Sequence, residues 1–214
     1  MKYNIVLLGG GSLASDMYDL YSAKYNFVGI IDDIYEVPYV TQAYGVKYLG
    51  KSNDIESIMK KGMQIILGIG SEGDLHPRQT YIKLFDEKKL ASPILSSTYS
   101  HISKYSSIGD GTIIGFGSRI GPHVKVGRHC VIKDNVTIGH NTVLGDNVFI
   151  GSGVRLNGNV IIGSNTFIGT GAIVIQKRTI GHSCLIAAGS CIIRDIEDNK
   201  KVVGNAGRIL DNKR

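Results

Sequence analysis

The chain has 214 residues and a formal net charge of +6, with 43% hydrophobic and 20% charged residues and no tryptophan. This length allows two small domains with separate cores, and the basic residues are scattered rather than interleaved with aromatic residues, which argues against nucleic-acid binding. No segment approaches the roughly 18 apolar residues of a membrane span and the N-terminus lacks a secretory cleavage pattern, so we expect a cytoplasmic protein without membrane insertion.

The first predicted elements form the start of a nucleotide-binding sheet. A buried strand over Tyr3–Leu8 runs into a glycine turn, Gly9-Gly10-Gly11, and a helix follows up to about Lys24. A second strand, Phe27–Ile31, ends in the acid pair Asp32-Asp33. Glycines let a backbone approach a phosphate at a helix N-terminus, and an acid at the end of the second strand can bind a ribose or sugar hydroxyl. Two alternatives stay open: the glycines make only a tight turn, and either aspartate is only the solvated end of a strand.

The next elements complete about half of a dinucleotide-binding fold. A strand over Gln64–Ile69 runs into Gly70, and a helix around Gln79–Lys89 leads to a short strand near Pro93–Leu95. A dehydrogenase would need the second half of the fold and a hydride-transfer site, but a repeat follows instead. We therefore predict an α/β Rossmann-like domain over residues 1–95 that binds a nucleotide-linked ligand other than NAD.

From Ile102 onward every sixth residue is aliphatic, and the run ends only after Ile192. The sixteen residues are Ile102, Ile108, Ile114, Ile120, Val126, Ile132, Ile138, Leu144, Ile150, Leu156, Ile162, Ile168, Val174, Ile180, Ile186 and Ile192. Only 60 of the 214 residues are isoleucine, leucine or valine, so such a run is not chance. Neither a helix nor a single strand has this period, whereas short strands wound into a three-sided coil place one inward side chain on each face.

Glycine and asparagine occupy fixed places in this repeat. Glycine follows the aliphatic residue at ten positions: Gly109, Gly115, Gly121, Gly127, Gly139, Gly145, Gly151, Gly163, Gly169 and Gly181. Asparagine shares one phase at five positions, Asn135, Asn141, Asn147, Asn159 and Asn165, which predicts corners in the left-handed backbone conformation. Three hexads make one turn, so residues 18 apart should lie above one another. We predict a parallel β-helix over residues 96–194 and a C-terminal tail over residues 195–214.

The cysteines and histidines favour neither disulfides nor a metal site. Cys130 and Cys184 fall in a small-residue position of the repeat, Cys191 follows that position, and the sequence has no CxxC motif, so buried reduced thiols are expected. His123 and His129 share one phase of the repeat whereas His140 does not, so we expect no metal.

Seven segments of the repeat and its end make the chain recognisable: Ile138-Gly139-His140, Gly145-Asp146-Asn147, Gly158-Asn159-Val160, Ile162-Gly163, Gly169-Thr170-Gly171-Ala172, Ala188-Gly189-Ser190 and Val203-Gly204-Asn205-Ala206. The hexads resemble the hexapeptide-repeat acyltransferases, which fold as left-handed parallel β-helices. With the preceding βαβ segment, the chain resembles the sugar acetyltransferases of bacterial nucleotide-sugar pathways, which serve cell-surface polysaccharide synthesis. These enzymes N-acetylate a UDP-, dTDP- or GDP-linked 4-amino-4,6-dideoxy sugar, and sialic-acid O-acetyltransferases are close relatives.

The resemblance implies a division of labour between the domains. The N-terminal domain would hold the nucleotide sugar, the β-helices would form a homotrimer, and acetyl-CoA would lie in the groove between neighbouring helices. The sugar-binding residues would be Gly9, Gly10, Gly11, Asp32, Asp33 and Gly70, and the acetyl-CoA contacts Phe149, Gly158, Thr170 and Ala188. His140 matches the histidine that deprotonates the amine. The family usually has an acid after that histidine, where this chain has Asn141.

We therefore predict an acetyl-CoA-dependent N-acetyltransferase that works by direct transfer, with His140 as general base and Asn141 beside it. No cysteine stands where an acyl-enzyme would form. Two alternatives remain: O-acetylation of a sialic-acid-type sugar or transfer of another acyl group, and a catalytically weak scaffold that binds a nucleotide sugar.

Overall fold

The computed structural model describes residues 4–35, 39–205 and 208–210. The chain divides into two compact units, the first made of residues 1–72 and 76–93 and the second of residues 73–75 and 94–214. Tyr3, at the start of the first predicted strand, and Ala206, in the last recognised segment, lie outside the described residues. Among the helices of the described residues, none has the length and the apolar run that crossing a membrane requires.

The first unit is an α/β layer built on one parallel sheet. Its elements are β1 (Asn4–Leu8), α1 (Ser12–Tyr21), β2 (Asn26–Ile31), α2 (Tyr39–Tyr44), β3 (Tyr48–Gly50), a 3₁₀ turn (Ser52–Asp54), α3 (Ile55–Ile58), β4 (Met63–Leu67) and α4 (His76–Glu87). The strand order is β3-β2-β1-β4 with every pair parallel. The carboxyl ends of β1, β2 and β4 therefore meet at one edge, which is where ligands bind in such sheets.

The sequence predicted β1, β2, β4, α1 and α4 but missed the connection between β2 and β4. That connection contains α2, β3 and α3, elements of three to six residues that are too short for a periodic pattern. The strand predicted near Pro93–Leu95 was wrongly assigned to the first unit. The observed strand Leu95–Ser96 pairs with Ile113–Ile114, because Leu95 N–H donates to the Thr112 carbonyl at 3.0 Å, so it begins the repeat.

The second unit is a three-sided coil of two-residue strands spaced six residues apart. They are β5 (Leu95–Ser96), β6 (His101–Ile102), β7 (Ser107–Ile108), β8 (Ile113–Ile114), β9 (Arg119–Ile120), β10 (Lys125–Val126), β11 (Val131–Ile132), β12 (Thr137–Ile138), β13 (Val143–Leu144), β14 (Phe149–Ile150), β15 (Arg155–Leu156), β16 (Ile161–Ile162), β17 (Phe167–Ile168), β18 (Ile173–Val174), β19 (Thr179–Ile180), β20 (Leu185–Ile186) and β21 (Cys191–Ile192). Within the predicted tail, β22 (Lys201–Val203) pairs with β20, and β23 (Arg208–Leu210) pairs antiparallel with β22.

The strands form three parallel faces. Face 1 contains β5, β8, β11, β14, β17, β20 and β22, with β23 at its end, face 2 contains β6, β9, β12, β15, β18 and β21, and face 3 contains β7, β10, β13, β16 and β19. We name each edge by the faces it joins, so edge 1–2 includes residues 151–154, edge 2–3 residues 139–142, and edge 3–1 residues 145–148. From β5 to β21, each strand pairs with the strand 18 residues away, as in Thr137 with Arg155, which confirms the predicted left-handed parallel β-helix.

The aliphatic repeat fills the interior of this coil. All sixteen predicted residues are the second residue of their strand, and from Ile114 onward each is at most 5% exposed. The five predicted asparagine corners are confirmed, because Asn135, Asn141, Asn147, Asn159 and Asn165 have φ angles between 52° and 59°. The period of six thus follows from one inward side chain and one left-handed corner per face.

The ten glycines that follow the aliphatic residues lie against the backbone of the next turn. A Cβ atom at Gly139 would lie 2.6 Å from the carbonyl carbon of Asn157, and one at Gly163 would lie 2.5 Å from that of Gly181. At each of the ten positions a Cβ atom would come within 2.9 Å of an atom of the following turn. These glycines allow the close approach of successive turns, whereas the left-handed corners are occupied by asparagine and by a separate set of glycines, with a few other residues.

Side chains at edge 3–1 bond each turn to the turn below it. Arg128 N–H donates to Asp146 Oδ1 at 2.7 Å, and Asp146 N–H donates to Ser164 Oγ at 3.0 Å. The series continues from Ser164 N–H to His182 Nδ1 at 3.0 Å, and from His182 N–H to Asp198 Oδ1 at 2.8 Å. Each corner residue therefore satisfies a backbone donor of the preceding turn, which fixes the stacking register.

The three cysteines carry free thiols. Cys130 and Cys184 are buried, as predicted, whereas Cys191 is only half-buried. Burial raises the pKa of the Cys184 thiol, against hydrogen bonds from the Lys200, Asn199 and Gly181 backbone that lower it. Cys184 is therefore a packing residue rather than a reactive thiolate.

Replacing serine by glycine should have opposite effects at two places on the coil. Ser183 is exposed and left-handed, with a φ of 54°, so Ser183→Gly relieves backbone strain and should stabilise the protein by about 1 kcal/mol. Ser152 does not have a positive φ, so Ser152→Gly relieves no backbone strain. The glycine only raises the entropy of the unfolded chain, which should destabilise the folded protein by up to about 1 kcal/mol. Urea unfolding of both variants measures the difference, and a loss of stability in Ser183→Gly would contradict the strain argument.

Candidate functional site

A cavity of about 460 Å³ opens in the first unit, a volume typical of ligand sites. All six residues predicted to bind a nucleotide sugar line it: Gly9, Gly10, Gly11, Asp32, Asp33 and Gly70. The glycine turn connects β1 to α1, and α1 begins with no capping side chain and no acidic residue in its first turn. The N-terminal N–H groups of a helix left in this way favour an anion.

The glycines of this turn differ in what requires them. Gly9 has a φ of 91°, and a Cβ atom there would lie 2.5 Å from Ile69 Cγ1, so Gly9 is needed for the turn itself. Gly11 has an ordinary φ of −82° and nothing lies within 4 Å of where its Cβ would be. A tight turn alone therefore does not explain Gly11, whereas room for a ligand above the first turn of α1 does.

Asp32 holds the rim of the cavity together. Its carboxylate accepts the N–H of Gly10 at 2.7 Å on Oδ2, and those of Ile34 and Tyr35 at 2.8 and 2.9 Å on Oδ1. Asp32 is only 6% exposed, so its interpretation as a solvated strand end is wrong. With three donors already bound, this carboxylate acts mainly as the group that positions the glycine turn.

Asp33 also lines the cavity, and both of its carboxylate oxygens accept hydrogen bonds. Its Oδ1 accepts Ser52 N–H at 2.7 Å, and its Oδ2 accepts the Ser52 and Tyr81 hydroxyls at 2.6 and 2.7 Å. Burial alone would raise the pKa of Asp33, but these hydrogen bonds, with Lys51 nearby, hold it below its usual value. Asp33 is therefore an anchored carboxylate rather than a solvated strand end. Burial and the bond to Asp33 raise the pKa of Tyr81, which keeps its phenol protonated.

Asp32→Asn should weaken ligand binding and lower stability together. The substituted amide retains one acceptor oxygen but turns its NH₂ toward backbone donors, so at least one buried N–H loses its partner, at about 1–3 kcal/mol. We expect a lower melting temperature and, with the nucleotide sugar that the sequence predicts as ligand, a higher KM. Asp54→Asn is the control, because Asp54 is exposed and its side chain does not cap α3. Equal behaviour of the two variants in thermal unfolding and kinetics would contradict this role of Asp32.

His140 lies on edge 2–3, between β12 and β13, with its side chain exposed. Its carbonyl accepts Asn159 N–H at 2.8 Å, and Asn141 N–H donates to the Pro122 carbonyl at 3.0 Å, so the turns above and below fix this corner. The His140 ring Nδ1 lies 3.0 Å from Asn141 Nδ2. In this orientation the Asn141 NH₂ group donates to His140 Nδ1, because an amide NH₂ can only donate. If the Asn141 amide is turned over, its Oδ1 accepts a hydrogen bond from Nδ1–H of His140, and His140 Nε2 is then the basic nitrogen.

Gly158 lies one turn above His140 and supports its ring. A Cβ atom at Gly158 would lie 2.5 Å from His140 Nε2 and 2.6 Å from Cε1. The imidazole therefore rests on the backbone of the next turn, which only glycine permits. Of the four predicted acetyl-CoA contacts, Gly158 is the one that the structure brings against His140.

The other predicted cofactor residues lie elsewhere on the coil. Thr170 and Ala188 are exposed and lie 18 residues apart on edge 1–2, so they stack on an edge that does not carry His140. Phe149 is on face 1, only 7% exposed, and stacks on Phe167 with ring centroids 5.1 Å apart. Within one chain, the predicted catalytic and cofactor residues therefore occupy two edges and one face.

Sequence reasoning missed Ser52, Tyr81, Ile34 and Tyr35. Ser52 and Tyr81 reach Asp33 from 19 and 48 residues away, and no local pattern marks them. Ile34 and Tyr35 did carry a signal, since two large apolar residues directly follow the strand-end acids in a turn. Among the described residues, no three His, Cys, Asp or Glu side chains gather as a metal site would require.

Comparison with known families gives two matches, one in each unit. The model of the PglD N-terminal domain matches residues 4–85. The model of the bacterial transferase hexapeptide, with six repeats, matches residues 105–140, 123–158 and 141–176. In a comparison with curated proteins, none matches this chain.

Solved structures share the fold over nearly the whole chain. The acetyltransferase domain of PglB from Neisseria gonorrhoeae, in complex with acetyl coenzyme A, is 22% identical with a TM-score of 0.89, covering 98% of this chain and 100% of that one. A histidine-to-asparagine mutant of perosamine N-acetyltransferase from Caulobacter crescentus, in complex with CoA and GDP-perosamine, is 23% identical with a TM-score of 0.88, covering 98% and 97%. WeeI from Acinetobacter baumannii is 20% identical with a TM-score of 0.81, covering 97% and 99%.

Proposed function

We propose that this chain moves an acetyl group from acetyl-CoA to the amino group of a nucleotide-linked 4-amino-4,6-dideoxy sugar. The chain belongs to the hexapeptide-repeat transferases and carries a PglD-type N-terminal domain. One combination carries the proposal: a glycine-lined cavity in the first unit, and an exposed histidine on the coil with an amide at its Nδ1. The ligands of the PglB and perosamine neighbours, acetyl coenzyme A, CoA and GDP-perosamine, support the same pair of substrates.

His140 would act as general base. With Asn141 Oδ1 accepting from Nδ1–H, Nε2 takes a proton from the sugar amine as the amine nitrogen bonds to the thioester carbonyl carbon. The tetrahedral intermediate then collapses, the carbon–sulfur bond breaks, and the CoA thiolate leaves and recovers the proton from His140. The products are the N-acetyl sugar and free CoA, and no bond to the protein forms.

Asn141 would orient the ring without adding charge. A carboxylate at this position would stabilise the protonated imidazole, which an amide does not do. An amine nucleophile, once neutral, attacks a thioester with less help from a base than a hydroxyl needs. The amide at Asn141 therefore favours N-acetylation over O-acetylation of a sialic-acid-type sugar.

A homotrimer would complete the site. The His140 and Gly158 pair and the Thr170 and Ala188 pair lie on different edges of the same coil. When three copies pack side by side, edge 2–3 of one can face edge 1–2 of its neighbour, which gives acetyl-CoA contacts from both pairs. The free thiols of the three cysteines support a reducing, cytoplasmic setting.

The test is release of CoA from acetyl-CoA, followed with a thiol reagent, in the presence of UDP-, dTDP- and GDP-linked 4-amino-4,6-dideoxy sugars. We expect turnover with one nucleotide series, and none with the matching 4-hydroxy sugar. Acetylation of a hydroxyl on a CMP-linked or free sialic acid would instead establish the O-acetyltransferase. Binding of acetyl-CoA and a nucleotide sugar, seen as raised melting temperatures, without turnover on any acceptor would favour the scaffold.

A further inference from the structure

The cavity of the first unit has a polar end and an apolar end. The first turn of α1, which follows Gly11, presents backbone N–H groups that no capping side chain occupies, and Asp33 and Tyr81 add hydrogen-bonding side chains. Ile34 and Tyr35 also line the cavity, at its rim. A ligand that fills both ends therefore needs an anionic or hydroxylated part and a flat apolar part.

The apolar end is exposed, although its backbone is fixed. Ile34 is 79% exposed and Tyr35 is 60% exposed, among the largest exposed fractions of apolar residues in the described chain. Their N–H groups are both bound to Asp32 Oδ1, at 2.8 and 2.9 Å. The backbone of both residues is thus anchored while their side chains are exposed to solvent, as in a surface that binds a partner or ligand.

One carboxylate sets the position of both ends. Asp32 binds Gly10 of the glycine turn through Oδ2 and the Ile34–Tyr35 backbone through Oδ1. Asp32 therefore anchors the glycine turn, which leads into α1, and the backbone of Ile34 and Tyr35 to each other. A nucleoside diphosphate has this layout, with phosphates at one end and a flat base at the other.

We infer that Tyr35 is the residue on which the nucleobase of the substrate stacks, with Ile34 extending the apolar surface. This inference rests on the proposed function and adds the residue that holds the base. Every nucleobase has a π-face, so Tyr35 contributes affinity for any nucleoside diphosphate rather than a choice among bases. The phenol hydroxyl is not required for stacking, so phenylalanine can replace it.

Calorimetric titration of UDP, dTDP and GDP into the whole protein tests the inference. Stacking energies measured by alanine substitution predict that Tyr35→Ala weakens binding of each nucleotide by about 5- to 150-fold, while Tyr35→Phe binds as the wild type does. Tyr105→Ala is the matched control, because Tyr105 is 61% exposed but lies in the second unit, outside the cavity. In turnover assays, Tyr35→Ala should raise KM for the nucleotide sugar and leave KM for acetyl-CoA unchanged.

The outcomes separate the two proposals. Equal binding of a nucleotide to the wild type and to Tyr35→Ala overturns the stacking inference and leaves the proposed function intact. Loss of affinity in Tyr35→Phe as large as in Tyr35→Ala also overturns it, because the ring is then not what matters. If no nucleoside diphosphate binds the wild-type protein, both the inference and the proposed function are wrong.

Discussion

Replacement of His140 by alanine is expected to lower kcat by about 10²- to 10⁴-fold, the usual contribution of a positioned general base. The side chain is exposed on edge 2–3, where it bonds to Asn141 and rests on Gly158, so folding should be unchanged. Steady-state kinetics on the amino sugar, with the melting temperature measured in parallel, gives both readouts. A turnover rate close to that of the wild type would remove His140 from the mechanism.

His123→Asn is the control for this experiment. His123 lies on the same edge one turn below Asn141 and stacks against Tyr105, with ring centroids 5.7 Å apart. Its φ of 58° is left-handed, which asparagine tolerates, so the replacement keeps the corner. We expect turnover within a few-fold of the wild type; a loss as large as that of His140→Ala would show that the edge, rather than one imidazole, is required.

Gly158→Ala is expected to reduce turnover through His140, although it leaves every candidate side chain in place. The added Cβ would lie 2.5 Å from His140 Nε2, so the ring must move away from the backbone it rests on. A displacement of about 1 Å of a catalytic group can cost roughly 100-fold in rate. The kinetic effect should be in kcat, at a melting temperature that remains close to that of the wild type.

The double variant His140→Ala with Gly158→Ala shows whether the effect passes through the histidine. If it does, Gly158→Ala lowers kcat no further once the imidazole is absent, since both changes act on that imidazole. If the new methyl instead obstructs acetyl-CoA, KM for acetyl-CoA rises in both backgrounds. Gly62→Ala is the control, because nothing lies within 4 Å of its Cβ position and it lies in the first unit, outside the cavity. It should affect stability alone, through its φ of 87°.

The fold of the second unit was predictable because each of its rules is local. A residue such as Ile138 must point inward and one such as Asn141 must turn a corner, and both requirements recur every six residues. The first unit was predictable where strands were continuous and apolar. The segment between β2 and β4 was not, because α2, β3 and α3 depend on packing against the sheet rather than on a period of their own.

The sequence predicted which residues form the candidate site but not which groups those residues contact. The glycines and aspartates were found from their places at strand ends, and all line one cavity. The carboxylate of Asp32 accepts hydrogen bonds from backbone N–H groups, and that of Asp33 accepts one from Tyr81, 48 residues away. These contacts depend on tertiary structure, which the spacing of residues in the sequence does not reveal. The same holds for His140 and Gly158, whose contact follows from the 18-residue register once the ring orientation is known.

The 18-residue register also limits how this protein can change length. Removing or duplicating 18 residues of the coil returns every following side chain to its own edge and shifts it by one turn, about 4.8 Å. A change of six residues would carry the segment after it to the next edge and separate Gly158 from His140. Insertions and deletions of whole turns should therefore preserve the stacking of the coil, whereas those of one or two hexads between His140 and Gly158 would dismantle the site.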